Sequence, residues 1–333
     1  MPIRLCRGGG IAALDRGRPL AALLRVFALT VMACAGARAS APLPIREANW
    51  LVASQRLHLL TTRPEECLPE DSPDIVSLVY GTVAFRDPML LGGQAARAGL
   101  SCMSCHRGGR GNPGFHFPRL SGAPGTADVT SSLMSSHRGD GIANPKPIPD
   151  LTFDVPKISR VDGRGLEAFI RGLIVEEFDG VPPSPAILKG LASYVRALDP
   201  AHCPSRHDQP YGLANALADY FLALGAAETA LVDHDPETAI AMLRGARSIL
   251  GEIDARFQAK GLEGPRATLD EAGIALAQIQ QQLRDGGDLT GPVDAVHRRW
   301  TATRRWADPL ILNERLSLYN PEKLKAALAD RAS

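Results

Sequence analysis

The feature that most constrains this chain is a pentapeptide in its first half, Cys102-Met103-Ser104-Cys105-His106. Cys-x-x-Cys-His is the attachment pattern of a c-type haem. Two cysteines three residues apart lie on one face of a helical turn, where both thiols can reach the vinyl groups of one porphyrin. The histidine that follows is placed to bind the iron. The motif therefore predicts one covalently bound haem c, held by Cys102 and Cys105 with His106 as an axial ligand.

Two other uses of a Cys-x-x-Cys pair are weaker fits. A zinc site needs a second ligand pair at finger-like spacing, and a redox dithiol needs a thioredoxin-like βαβ setting. Neither surrounds residues 102–106. The motif therefore favours haem attachment, and a zinc site and a redox dithiol are the alternatives.

Residues 1–39 have the pattern of an export signal. Arginines at positions 4, 7, 16 and 18 precede an apolar run over residues 19–35, and small residues then favour cleavage after Ala39 or Ala41. The run is short and interrupted for a membrane span, but an uncleaved anchor and a lipoprotein attached through Cys34 stay open. The sequence predicts a periplasmic location, where covalent haem is added and thiols are not kept reduced.

The six cysteines fall into pairs. Two lie in the predicted signal and two in the motif, which leaves Cys67 and Cys203 on either side of the haem segment. In an oxidising compartment this pair predicts a disulfide that closes a long loop and contributes about 4 kcal/mol. Two unpaired cysteines are the alternative, because the sequence does not reveal whether their Cα atoms lie within reach.

The predicted fold class is mostly α, and residues 42–204 are expected to form a cytochrome c-like helical haem domain. Helical spacing covers residues 45–60 and 74–85 before the motif, and 166–174 and 187–198 after it. Ser184 and Pro185 suit the start of the last of these helices. Residues 108–156 are crowded with Gly, Pro, Ser and Asn, so we expect this long loop to wrap around the haem.

Residues 205–333 are predicted to form a separate helical bundle. Helices are expected near 211–232, 236–257, 267–284 and 292–306, with a start at Asp235-Pro236 and a stop at Gly286-Gly287. This C-terminal helical domain is a candidate for protein docking. The net charge of +1 and the lack of a basic patch interleaved with aromatic residues argue against nucleic-acid binding.

Two segments carry a resemblance to a known family: Tyr80-Gly81 through Phe85-Arg86-Asp87-Pro88-Met89-Leu90, and Leu100-Ser101-Cys102-Met103-Ser104-Cys105-His106. They resemble the bacterial dihaem cytochrome c peroxidases, whose haem motif follows a Leu-Phe-x-Asp-Pro-Arg-Leu segment. The resemblance covers about residues 49–200 and also includes the helix that ends at Leu198. It implies the fold of a haem domain. The family carries two haem motifs, whereas this chain has one and so lacks the usual internal electron donor.

The sixth iron ligand would decide between electron transfer and ligand binding. His116 lies between two phenylalanines, and the resemblance implies a distal histidine from the loop after the motif. Met134 is the thioether alternative, which would raise the reduction potential, or a methionine that fills the core. His137 distantly resembles a pocket residue of the family, and an exposed loop histidine is the alternative. Arg107 and Arg110 are candidates to pair with the haem propionates, or are solvated loop charges.

The first functional hypothesis is an exported monohaem c-type cytochrome that exchanges single electrons with a redox partner protein in the periplasm. The alternative is a peroxidase-like haem enzyme with an open distal site and an external electron donor. A third hypothesis is a haem-based ligand sensor. We find no Ser/His/Asp triad, phosphate loop or paired-carboxylate site in the sequence that competes with these.

Overall fold

Helices frame the haem motif on both sides and continue to the end of the described chain. The computed structural model describes residues 43–153, 163–205 and 207–330, so the predicted export signal lies outside the described residues. The described chain is mostly helical, as predicted. No helix in these ranges is long and apolar enough to cross a membrane.

The haem-motif half is built from short elements. Its helices are α1 (Arg56–Thr61), α2 (Ile75–Arg86), α3 (Gly93–Ala98), α4 (Cys102–Cys105), α5 (Gly163–Gly172), which continues as a π-helical turn over Leu173–Glu177, and α6 (Pro185–Ala197). Its strands are β1 (Thr62–Pro64), β2 (Thr126–Ala127), β3 (Lys146–Pro147) and β4 (Asp208–Pro210). They form two antiparallel pairs, β1 with β4 and β2 with β3.

Helices α2 and α6 cross in close contact, and two glycines permit the crossing. A Cβ atom on Gly81 would lie 2.0 Å from the carbonyl oxygen of Gly190, so no larger residue fits there without a shift of the helices. Beside the crossing, the rings of Phe85 and Tyr194 pack 4.5 Å apart. The predicted start of α6 is confirmed, since the Ser184 side chain accepts a hydrogen bond from the backbone N–H of Ile187.

The C-terminal half is a ring of four long helices followed by a short one. They are α7 (Leu213–Val232), α8 (Pro236–Arg256), α9 (Glu263–Asp285), α10 (Thr290–Asn313) and α11 (Pro321–Ala329). Each of the four long helices packs against the next, and α10 returns to α7, which closes the bundle. The core holds fully buried side chains from all four, among them Tyr220, Leu224, Leu243, Leu250, Leu276, Val296 and Leu310. Asp235 caps α8 and Gly286, with φ +78°, ends α9, as predicted.

Several helix bounds differ from the sequence prediction. Residues 45–60 form two 3₁₀ turns, Arg46–Asn49 and Ala53–Gln55, and only then α1, because Leu51 leaves the helix to bridge Phe115 of the loop. Helix α9 begins four residues earlier than expected, and α10 continues past residue 306 through an internal proline. Both helices pack against neighbouring helices of the bundle, and such packing can hold a helix beyond the residues whose local pattern predicts it.

Ion pairs join the two halves at the end of α2. Arg86 pairs with Asp219 of α7 at 2.5 Å, and Asp219 also binds Arg63 at 2.6 Å. The next residue, Asp87, is buried and accepts hydrogen bonds from Arg244 at 2.7 Å and from Ser248 of α8 at 2.9 Å. The Arg-Asp pair of the family-like segment is therefore used to dock the bundle. The domain boundary at 204/205 stays a prediction.

Cys67 and Cys203 come together as predicted from their number and placement. Their sulfur atoms lie at bonding distance, and their Cα atoms are 4.9 Å apart. The adjacent pairing of β1 with β4 joins Thr62 to Pro210. The segment that contains the haem motif is thus closed at its two ends.

Candidate haem-attachment site

The motif residues form one compact helical turn. Helix α4 is capped reciprocally, because the Ser101 backbone N–H donates to the Ser104 hydroxyl at 2.9 Å and the Ser101 side chain accepts from the backbone of Ser104. The backbone N–H of His106 donates to the Cys102 carbonyl at 2.8 Å. Cys102, Cys105 and His106 are therefore held at i, i+3 and i+4 on one face of the turn.

A backbone carbonyl fixes the orientation of the His106 ring. Nδ1 of His106 lies 3.1 Å from the carbonyl oxygen of Pro149. A carbonyl can only accept a hydrogen bond, so Nδ1 carries the proton and Nε2 keeps its lone pair. Metal-binding histidines are commonly oriented through such a bond on the other ring nitrogen. Burial lowers the pKa of His106 to about 4, against the opposing effects of this hydrogen bond and of Asp150.

The Gly/Pro-rich loop brings Pro149 to the histidine through its own backbone hydrogen bonds. Next to the β2–β3 pair, the N–H of Ile148 donates to the Gly125 carbonyl at 3.0 Å. The N–H of Leu151 donates to the carbonyl of Gly109, which follows the motif, at 2.8 Å. Asn112, which is buried, donates from Nδ2 to the Ser104 carbonyl at 2.8 Å and so ties the loop to α4.

The two motif thiols are half-buried and are not joined in a disulfide. Burial raises the pKa of each thiol to about 12, so both are protonated at neutral pH. Phe85 of α2 lies next to the site, with its ring 6.5 Å from that of His106. Two free thiols and an imidazole with an available Nε2 are the donor set that a covalent haem c requires.

The axial ligand candidates lie in different parts of the loop. The backbone N–H of His116 donates to the Trp50 carbonyl at 2.9 Å, and its side chain is half-buried. Met134 is 1% exposed, and the next residue, Ser135, donates from its hydroxyl to the Glu176 carbonyl of the π-helical turn. The role of His116 or Met134 as the sixth iron ligand stays a prediction. His137 is exposed and lies 3.8 Å from Asp179.

Both arginines that were predicted to meet the propionates have protein partners. Arg107 binds Asp208 at 3.0 Å and the Thr62 carbonyl, so it fastens the motif to the β1–β4 pair. Arg110 donates to the Glu65 carbonyl at 2.9 Å and lies 3.5 Å from the Cys203 sulfur. The structure thus gives both side chains a role in closing the haem segment, and their pairing with propionates stays a prediction.

Pro149 and Asn112 are not marked as site residues by any pattern in the sequence. Any residue could supply the carbonyl that Pro149 offers, so no side-chain pattern marks it. Within the described ranges, no three or more His, Cys, Asp and Glu side chains gather as a metal-ion site. Comparison of the chain with protein-family models, with curated proteins and with solved structures finds no match.

Proposed function

We propose that this chain is an exported monohaem c-type cytochrome that transfers single electrons. The observation that carries the proposal is the capped turn that holds Cys102, Cys105 and His106 at i, i+3 and i+4, together with the hydrogen bond from His106 Nδ1 to the Pro149 carbonyl, which leaves Nε2 with its lone pair. A bound haem would supply the one-electron ferric/ferrous couple. Cys102 and Cys105 would hold it through thioethers, with His106 as the proximal ligand.

The surrounding residues have separable tasks in this proposal. The Ser101–Ser104 capping box keeps the two thiols at helical spacing, and Asn112 keeps the loop against that turn. The Pro149 carbonyl keeps the imidazole in the tautomer that binds iron. A sixth ligand, His116 or Met134, would set the reduction potential together with the burial of the site.

Covalent attachment is tested by producing the full chain in a host that attaches haem to exported proteins. Wild type is expected to keep haem through denaturing electrophoresis and to give a c-type pyridine haemochrome spectrum. The double variant Cys102→Ala, Cys105→Ala is expected to lose that haem, whereas the matched control Cys67→Ala, Cys203→Ala keeps it. A wild-type protein that carries no covalent haem under these conditions contradicts the proposal.

The axial ligand is tested by His116→Ala and Met134→Ala in the haem-loaded protein. With His116 as the ligand, His116→Ala converts a low-spin ferric spectrum to a high-spin one and Met134→Ala does not. The reverse result assigns Met134. A wild-type spectrum that is already high-spin contradicts the electron-transfer proposal and favours an open site.

The alternative is a peroxidase-like enzyme with an external donor, which rests on the family resemblance. The exposed position of His137 gives it no support as a pocket residue. Peroxide consumption at the expense of a reduced cytochrome would favour this alternative. We further propose a periplasmic location, a redox partner protein there, and docking through the C-terminal helical domain; the paired Cys67 and Cys203 are consistent with an oxidising compartment.

A further inference from the structure

A large cleft lies on the face of α4 opposite to the motif thiols. It has a volume of about 790 Å³, and Met103, Ser104 and Arg107 form part of its wall, whereas Cys102, Cys105 and His106 do not. On a helical turn these two sets of residues point in different directions. The opposite wall comes from α7, α8 and α9 of the bundle. The cleft is therefore a site distinct from the haem face, and it does not depend on the proposed function.

The charges around the cleft favour an anion. The described residues that line it include eight arginines and five carboxylates. Asp219 and Asp87 are neutralised by arginines of the same cleft, and Asp254 by Arg266 outside it. Arg107 pairs with Asp208 outside the cleft. Two carboxylates, Glu47 and Glu252, then stand against four arginines, at positions 46, 247, 256 and 284. Arg247 and Arg284 are exposed at its rim. Guanidinium groups match carboxylates in a two-pronged geometry.

Two buried donors in the cleft wall have no acceptor among the described residues. One is the indole N–H of Trp50, a residue that is 4% exposed, and the other is Nε of Arg86. A buried donor without a partner costs about 1–3 kcal/mol, so most such groups in proteins bind an acceptor. An oxygen-bearing ligand would supply one.

Part of the wall is apolar. Leu59 and Leu60 of α1, Leu222 of α7 and Ile249 of α8 all line the cleft. A fully hydrated inorganic ion gains nothing from such a surface, whereas a hydrocarbon chain or ring gains about 25 cal/mol for each Å² it buries. A volume of this size is also typical of sites for organic ligands.

We propose that this cleft binds an organic carboxylate with an apolar body. The carboxylate group of the ligand lies near the arginines of the cleft and the Trp50 indole. The apolar body of the ligand lies against the leucines of α1 and α7. The ligand would sit between the motif turn and the bundle, so that its binding strengthens the contact between the two halves.

The experiment is calorimetric titration of the purified full chain with octanoate, acetate, 1-octanol and inorganic phosphate. Octanoate is expected to bind, at least about tenfold more tightly than acetate, octanol or phosphate, because only it has both parts. Trp50→Phe keeps the aromatic ring and removes the donor, and is expected to weaken octanoate binding about fivefold. Because Trp50 is buried, a thermal melt must first establish that this variant folds.

The second variant changes two exposed residues, but Arg247 also donates to Oε1 of the buried Gln280 at 2.9 Å, so its thermal melt is compared with that of wild type as well. Arg247→Ala, Arg284→Ala is expected to weaken octanoate binding about tenfold, and the matched control Arg304→Ala, on the outer face of α10, to leave it unchanged. The proposal is overturned if octanoate does not bind at about 10 mM, if phosphate binds as tightly as octanoate, or if Arg304→Ala weakens binding as much as the double variant.

Discussion

The haem-motif half and the helical bundle are stabilised in different ways. In the bundle, four long helices bury continuous apolar faces, so stability is spread over many side chains. The haem-motif half also buries apolar side chains, but its helices are short and it contains a loop of more than forty residues. Single contacts tie its segments together: the Cys67–Cys203 disulfide, the β1–β4 pair, the glycine crossing and the Asn112 hydrogen bond. The half that holds the candidate chemistry is thus the one in which a single substitution should matter most.

The largest effect is expected on loss of the disulfide. In Cys67→Ser, Cys203→Ser the chain loses a link across a sequence separation of 136 residues, which in the chain-entropy model costs roughly 4–5 kcal/mol of unfolding free energy. Urea unfolding measures the loss, and hydrogen exchange locates it. We expect faster exchange mainly in residues 62–110 and 198–210. An equal increase in the exchange rates of α8 and α9 would contradict the proposed difference in how the two halves are stabilised.

The glycine crossing gives the next largest effect and the most direct comparison. Gly190→Ala forces a Cβ to within 2.8 Å of the backbone of α2, so we expect a loss of about 3 kcal/mol in thermal or urea unfolding. The same substitution in the bundle, Gly273→Ala in α9, meets no atom within 4 Å and should stabilise by about 0.5–1 kcal/mol. If both substitutions lower the free energy of unfolding, or both raise it, the proposed difference between the two halves is contradicted.

Loss of the contacts that join the two halves at the end of α2 should lower the free energy of unfolding by a smaller amount. Asp87→Asn removes the charge that Arg244 and Ser248 bind in a buried position, and we expect a loss of about 2 kcal/mol. It should also separate the unfolding of the two halves, so that hydrogen exchange in α2 and α6 no longer reports the same free energy of opening as exchange in α7 and α8. Asp270→Asn on the exposed face of α9 is the control, with an expected change below about 0.5 kcal/mol.

The smallest effect is a pH dependence from Glu252 of α8, whose side chain lines the cleft but is exposed, so that screening by water limits the change in unfolding free energy to about 1 kcal/mol. Desolvation by the protein atoms around the cleft, with Glu47 as the next cause, raises its pKa above the usual 4.5, although Arg63 and Arg256 oppose this. The other titratable groups that act on it from the packed elements are Asp219, Tyr211 and Tyr319. The folded protein holds this proton more tightly than the unfolded chain, so its contribution is fully present below about pH 4.5 and declines as the pH rises toward 8.

Glu252→Gln removes that titration. Relative to wild type, the variant should therefore become steadily more stable between pH 5 and pH 8, as measured by urea unfolding at several pH values. Stability profiles for the two proteins that run parallel over this range would contradict the assignment to Glu252.

The sequence predicted the helices best where local signals and packing agree. Ser184 and Asp235 are N-caps in the sequence and in the structure, and Gly286 ends its helix in both. The prediction was wrong for residues 45–60, because the bridge from Leu51 to Phe115 joins segments far apart in sequence. The thiols and His106 could be found from spacing alone, whereas the carbonyl of Pro149 could not, since every residue carries one and only the loop fold brings it to the ring.

If the chain is exported as proposed, the order of its cysteines has a consequence for how it matures. Cys67 and Cys203 enclose Cys102 and Cys105 in sequence, and four thiols in an oxidising compartment can pair in three ways. In the proposed cytochrome, thioether formation removes the two inner thiols from this competition and leaves a single pairing. Haem attachment would then prevent wrong disulfide pairing during oxidative folding. A chain exported without haem should accumulate isomers with non-native disulfides.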